Sequence, residues 1–194
     1  MKLVKIGVIG LGLLLMVSAA MAQETRGQRA ELRFLEGMSD HHQMALDMAN
    51  DCLAKAEDSA LLTLCEDIIE AQSAEIAQMQ AWLLDWYNVE YTTISMLSTE
   101  AEEAHAGHSM SDMPATDPAM MMGMMAGLNR LDGRAFEIAW VESMIDHHDD
   151  ALHMAERMLE QVEHEELRAL AEQIISDQTA EIEQMETMLV TLAA

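Results

Sequence analysis

Met38-Ser39-Asp40-His41-His42-Gln43-Met44-Ala45-Leu46-Asp47-Met48-Ala49 returns 106 residues later as Met144-Ile145-Asp146-His147-His148-Asp149-Asp150-Ala151-Leu152-His153-Met154-Ala155. A second echo, Gln72-x-Ala74-Glu75-Ile76-x-Gln78-Met79 and Gln178-x-Ala180-Glu181-Ile182-x-Gln184-Met185, keeps the same offset of 106. No insertion or deletion separates the copies, and residues 34–83 match 140–189 at 23 of 50 positions. In the first copy apolar residues fall at 34, 35, 38, 45, 46, 48, 49, 52 and 53, then at 61, 64, 65, 68, 69, 76, 79, 82 and 83. This is helical spacing, not strand alternation. The polar turn Glu57-Asp58-Ser59 divides the two runs, and Asp58 or Ser59 suits the N-cap of the second. The pattern predicts helices over 30–55, 60–86, 134–161 and 166–192. Neither hairpin can bury its apolar stripe alone. The fold class is therefore all-α, an antiparallel four-helix bundle of two duplicated hairpins, with helices of about 25 residues and roughly 37 Å. Because the connection between copies is long, both a monomer and a dimer with exchanged hairpins satisfy this reading.

The repeats occupy residues 23–87 and 133–194, joined by a Met/His-rich linker at 88–132. Residues 1–22 read as a signal peptide. Lys2 and Lys5 precede an apolar run from Ile6 to about Val17, and Ala20-Met21-Ala22 marks cleavage after Ala22. The run is too short for a membrane span. Export places the mature protein in the periplasm, with secretion as the alternative. Its net charge of −25, or −27 without the two signal lysines, disfavours nucleic acid and anionic lipid as partners. The same charge also fits simple solubility.

Methionine is abnormally frequent, 20 in the whole chain. Aromatic residues are few, so some methionines replace Phe as core filler. The linker needs another explanation. His105, His108, Met110 and Met113 lie within nine residues, and Met120-Met121-Met122-Gly123-Met124-Met125 follows. Long loops of this kind are usually functional or disordered. From Met121, the spacing 121, 124, 125, 128, 131 suggests a short amphipathic helix leading into the second copy.

On a helical wheel with Met38 at zero, His42 falls near ~40°, Ala45 near ~340° and Ala49 near ~20°, so His42 faces the bundle axis. His41 falls near ~300°, beside Met48 at ~280° and Met44 at ~240°, on the flank. His148 and His147 repeat these positions, with Met154 beside His147 and Asp150 in place of Met44. On the second helix of each copy, Gln72, Glu75 and Met79, or Gln178, Glu181 and Met185, lie close to the apolar stripe. A buried carboxylate needs a partner. A Glu75–His42 contact, or its cross-paired version with His148, supplies one.

Two explanations compete. In one, His42, Gln72 and Glu75 form a hydrogen-bonded layer that fixes helix register. In the other, imidazoles and thioethers bind a soft transition metal, for which thioethers favour Cu(I) while imidazoles suit either copper state. On the second view the loop residues His105, His108, Met110, Met113, Met121 and Met124 capture the ion. His41, His42, Met44, Met48, His147, His148 and Met154 then hold it, with Glu75, Met79, Glu181 and Met185 as outer supports. Such a protein is a binding protein and not an enzyme.

The paired Met-x-x-His-His-x-x-Ala-Leu-x-Met-Ala and Ile-Ile-x-x-Gln-x-x-Glu-Ile-x-x-Met segments, with Met-Met-Gly-Met-Met before the second copy, resemble the domain of unknown function 305 family. The resemblance covers nearly the whole mature chain. It implies a ferritin-like four-helix bundle and, as in the family's periplasmic copper-binding member linked to copper resistance, a bacterial envelope protein that handles copper. A copper donor or acceptor protein would then be its partner. Gln43 and Met44 replace the two acidic residues that follow the doublet in the second copy.

Three rival readings remain. A non-metal interaction module would use the Met-rich linker as a docking surface. A ferritin-like di-metal oxidase needs Glu-x-x-His on core helices, and its one instance, Glu102 to His105, lies in the linker. A nucleophilic hydrolase lacks any recognisable Ser or Cys setting. Cys52 and Cys65 flank the Asp58–Ser59 turn and face each other in an antiparallel hairpin. In an oxidising compartment a disulfide is one outcome, if the helices approach closely enough, and copper ligation by thiolate is another.

Overall fold

The computed structural model describes residues 25–93, 95 and 125–194. Four helices make up the bundle: α1 (Arg26–Lys55), α2 (Ser59–Tyr87), α3 (Gly133–Leu159) and α4 (Glu165–Leu192). Each begins and ends within a few residues of its predicted span. Thr25 starts α1 with a capping box, its hydroxyl accepting from the Gln28 N–H at 3.0 Å while its own N–H donates to Gln28 Oε1 at 2.9 Å. Asp58, one of the two expected caps, accepts from the N–H groups of Ala60 and Leu61 and starts α2. Asn88, in the left-handed region at φ 55°, ends α2 by donating its N–H to the carbonyls of Leu83 and Leu84.

α1 packs on α2, α3 on α4, and α1 meets α3 across the molecule. The core falls into two apolar clusters. One joins Ala49, Leu61, Leu64 and Ile68 to Phe136, Trp140, Met144 and Met185; the other joins Phe34, Leu35, Met38 and Leu83 to Ala155, Leu167 and Ile174. The late half of α1 thus packs with the early half of α3, as an antiparallel arrangement requires. Between the clusters, midway along the helices, stand the histidine doublets. Residues 125–128 form a helical turn whose Met125 and Leu128 are buried on the first cluster, which agrees with the helix expected there.

Cys52 and Cys65 form a disulfide, with Cα atoms 6.5 Å apart. Met158 and Ala171 are both buried at the matching places in the second hairpin. Closing a loop of this size stabilises by about 3 kcal/mol in the chain-entropy account.

Each hairpin turn is held by the other hairpin. Glu31, fully buried at the start of α1, accepts from the backbone N–H groups of Glu163 and His164. Glu137 on α3 accepts from those of Glu57 and Asp58, both at 2.8 Å. The second oxygen of Glu31 takes the Tyr87 hydroxyl at 2.6 Å and His164 Nδ1 at 2.7 Å. His164 in turn stacks on Trp86, with ring centroids 3.9 Å apart.

Residues 88–93 and Ser95, assigned to the linker on composition, run as a strap along α1. The Tyr91 hydroxyl donates to Asp40, that of Thr93 to Gln43 and that of Ser95 to Asp47. Residues 1–22, expected to be a signal peptide, and linker residues 96–124, with His105, His108, Met110, Met113, Met121 and Met124, lie outside the described residues.

Candidate metal centre

The midplane layer follows from register. His42 sits on α1 a little beyond its midpoint, and the hairpin brings Glu75 of α2 level with it. His42 Nε2 lies 2.7 Å from Glu75 Oε2. The second copy repeats the contact between His148 Nε2 and Glu181 Oε2 at 2.5 Å. Pairing is within each hairpin, not crossed between them. Both rings are fully buried, while the two carboxylates keep a slight exposure.

His41 lies on the flank the wheel assigned to it, and that flank is covered: the ring is buried at the α1–α3 interface, its centroid 3.8 Å from that of His147 with the rings tilted by 32°. The wheel gave its direction correctly but could not show that α3 occupies that side. His147 Nε2 donates to the backbone carbonyl of His41 at 3.0 Å. Burial holds the His41 ring well below the ordinary imidazole range, and the neighbouring His42 and His148 add to the effect. His147 is lowered likewise, by burial first and then by His41 and His148, against a smaller opposing effect of its bond to the His41 carbonyl. Both rings are therefore neutral near pH 7, the form in which imidazole ligates metal.

Several buried atoms of this layer have no hydrogen-bond partner among the described residues. They are Nδ1 of His41, His42, His147 and His148, Nε2 of His41, and both amide atoms of Gln72 and of Gln178. Buried polar groups are nearly always paired, so a cluster of orphans at one level needs an explanation. The methionines lie around the layer. Met48 and Met185 belong to one apolar cluster, Met79 and Met154 to the other. Met44 is buried, and Asp150 in its place on α3 is half-buried. Burial raises the Asp150 carboxyl, and Asp149 reinforces the shift. Among the described residues no three His, Cys, Asp or Glu side chains converge closely enough to hold a metal ion by themselves.

Residues 31–189 match the family model described as a domain of unknown function, DUF305. The chain belongs to the DUF305 family. Solved structures similar to it include CopM in the Cu(II)-bound form, with 30% identity and a TM-score of 0.64 over 83% of this chain and 96% of that one. CopM in the Cu(I)-bound form is similar at 28% identity and a TM-score of 0.65, over 89% of this chain and 100% of that one. A DUF305 protein from Streptomyces coelicolor has 27% identity and a TM-score of 0.67, over 85% of this chain and 93% of that one. No curated protein matches the sequence.

Sequence reasoning missed Glu31 and Glu137. They stand 106 residues apart just outside the aligned block, and that repeated acid was the available signal.

Proposed function

We propose that this protein binds copper in the bacterial envelope, Cu(I) in preference to Cu(II), and sequesters or relays it without transforming a substrate. The observation that carries this reading is the midplane layer, four buried imidazoles whose Nδ1 atoms lack partners among the described residues, in a chain similar to copper-bound CopM. Soft thioethers border the layer on both sides. Among the described residues no three nitrogen, thiolate or carboxylate ligands converge, and imidazole combined with thioether is a donor set suited to Cu(I). The loop residues His105, His108, Met110 and Met113 would make first contact. After removal of residues 1–22 the protein would work in the periplasm, and among the described residues no helix is long and apolar enough to cross a membrane.

The direct test titrates the mature apo protein with Cu(I) against a competing chelator. Tight, stoichiometric binding is expected, together with its loss in a His41/His42/His147/His148 quadruple alanine variant whose helicity is checked by circular dichroism. No competition in the wild-type protein would overturn the proposal. The second reading, a register-fixing polar layer, is favoured by the two complete His–Glu pairs. It predicts that the quadruple variant loses stability but that the wild type takes up no metal.

A further inference from the structure

The two His–Glu pairs differ from ordinary buried ion pairs in what they leave over. Each ring is wholly buried, each uses Nε2 toward a carboxylate, and each keeps a buried Nδ1 without a partner among the described residues. The separation in sequence is 33 residues in both copies, so the same helix register produces both contacts. A neutral imidazole has one N–H to place. A carboxylate can only accept, which draws that hydrogen to Nε2 and leaves Nδ1 as a bare lone pair. The opposite placement would bury an N–H on Nδ1 with nothing to receive it and set two lone pairs against each other at Nε2, a cost of a lost hydrogen bond or more. His147 follows the same rule by a different route, its Nε2 being taken by the His41 carbonyl. Gln72 and Gln178, three residues before Glu75 and Glu181, bring unpartnered amide oxygens to the same level.

We infer that Glu75 and Glu181 are positioning residues that fix His42 and His148 as Nε2–H tautomers, presenting Nδ1 as the donor atom for a soft cation at the bundle midplane. The inference rests on the copper reading for the identity of the cation, but not for the tautomer. A carboxylate behind a ligating imidazole fixes ring orientation and raises basicity, and losing such support commonly costs 10- to 100-fold in metal affinity. Neither glutamate touches the ion in this arrangement.

Mature apo protein labelled with ¹⁵N at histidine, read by long-range proton–nitrogen correlation, should show His42 and His148 protonated at Nε2 and bare at Nδ1. Titration with Ag(I), a redox-inert soft cation, should then perturb Nδ1 of these rings while the Nε2 protons persist. Glu75→Gln/Glu181→Gln should bind Ag(I) about 10- to 100-fold more weakly, and restoring either carboxylate should recover part of the loss. Protonation at Nδ1 in the apo wild-type protein overturns the positioning role whatever the metal result. Silver at Nε2 with the glutamate displaced overturns the donor assignment. Failure of the wild type to bind Ag(I) at all overturns the copper reading and the donor role with it, leaving the tautomer result to stand by itself.

Discussion

His41 and His147 are buried as neutral rings, and that has a consequence for stability against pH. Unfolded, each takes a proton near the ordinary imidazole value of about 6.5. Folded, each resists protonation until well below it, because burial opposes the charge. Stability is therefore complete above about pH 6.5 and falls as pH drops below it, at up to about 1.4 kcal/mol per pH unit for each ring. Urea unfolding from pH 7.5 to 5 should show this fall, and a His41→Phe/His147→Phe variant should flatten it. Glu31 titrates the other way. Burial alone would raise its carboxyl, but the bonds from Tyr87, His164 and Glu163 together bring it below the ordinary value, so its contribution persists at neutral pH and disappears only in acid. Glu137 gives a cleaner test of the turn clamps. Glu137→Ala leaves two backbone N–H groups unanswered and should cost on the order of 3 kcal/mol, whereas Glu137→Gln keeps an acceptor and should cost about 1. Equal losses in urea melts would show that the clamp does not depend on that oxygen. At this scale the sequence told which residues were unusual, but not which atoms were left bare. His42 was read as inward from its place among alanines. His41 was read on the flank where it lies, but a single-helix wheel knows nothing of the second helix that covers it, and the Nδ1 orphans depend on ring rotation that spacing cannot encode.

Among the described residues, the first hairpin carries restraints that the second does not show. It has the Cys52–Cys65 disulfide and the strap anchored by Tyr91, while α3 presents exposed Asp146, Asp149 and His153 on the corresponding face. Burial, and then the Asp40 carboxylate, push the Tyr91 hydroxyl far above the ordinary phenol range, so this anchor remains a donor throughout the physiological range. Cys52→Ala/Cys65→Ala should lower unfolding free energy by about 3 kcal/mol and leave the far-ultraviolet circular dichroism unchanged, since the second hairpin folds with Met158 and Ala171 in those places. A loss of helicity at neutral pH would mean the bridge determines the fold. Helix bounds were legible within a few residues because the 3.6-residue apolar period stops there, with a cap at Asp58 to mark the start of α2. The strap was not, since its anchors are hydroxyls in a segment with linker-like composition, and hydroxyl partners across 48 to 51 residues leave no periodic trace.

For the whole molecule, duplication translates into two hairpins that complete each other. Each lends a glutamate to the other's turn, and His41 and His147 stack where the hairpins join. The repeat made this pseudo-symmetry readable from sequence, though not that α1 and α3 would form the contact between halves. Sharing of the layer makes ion binding a global property. An ion held only in the folded midplane stabilises the native state by RT ln(1 + [L]/Kd), about 2.7 kcal/mol at a free concentration of 100 Kd. For a chain of this size that corresponds to a rise in Tm of about 5–10 °C. The linker methionines bring no such gain if they take the ion equally well after the bundle has unfolded, because binding to both states leaves their balance unchanged. Differential scanning calorimetry with Ag(I) should therefore show the rise in the wild type, retain it when Met110, Met113, Met121 and Met124 are replaced by Leu, and lose it when His42 and His148 are replaced by Phe. A rise that follows the linker substitutions instead would move the ion's resting place from the midplane to the loop.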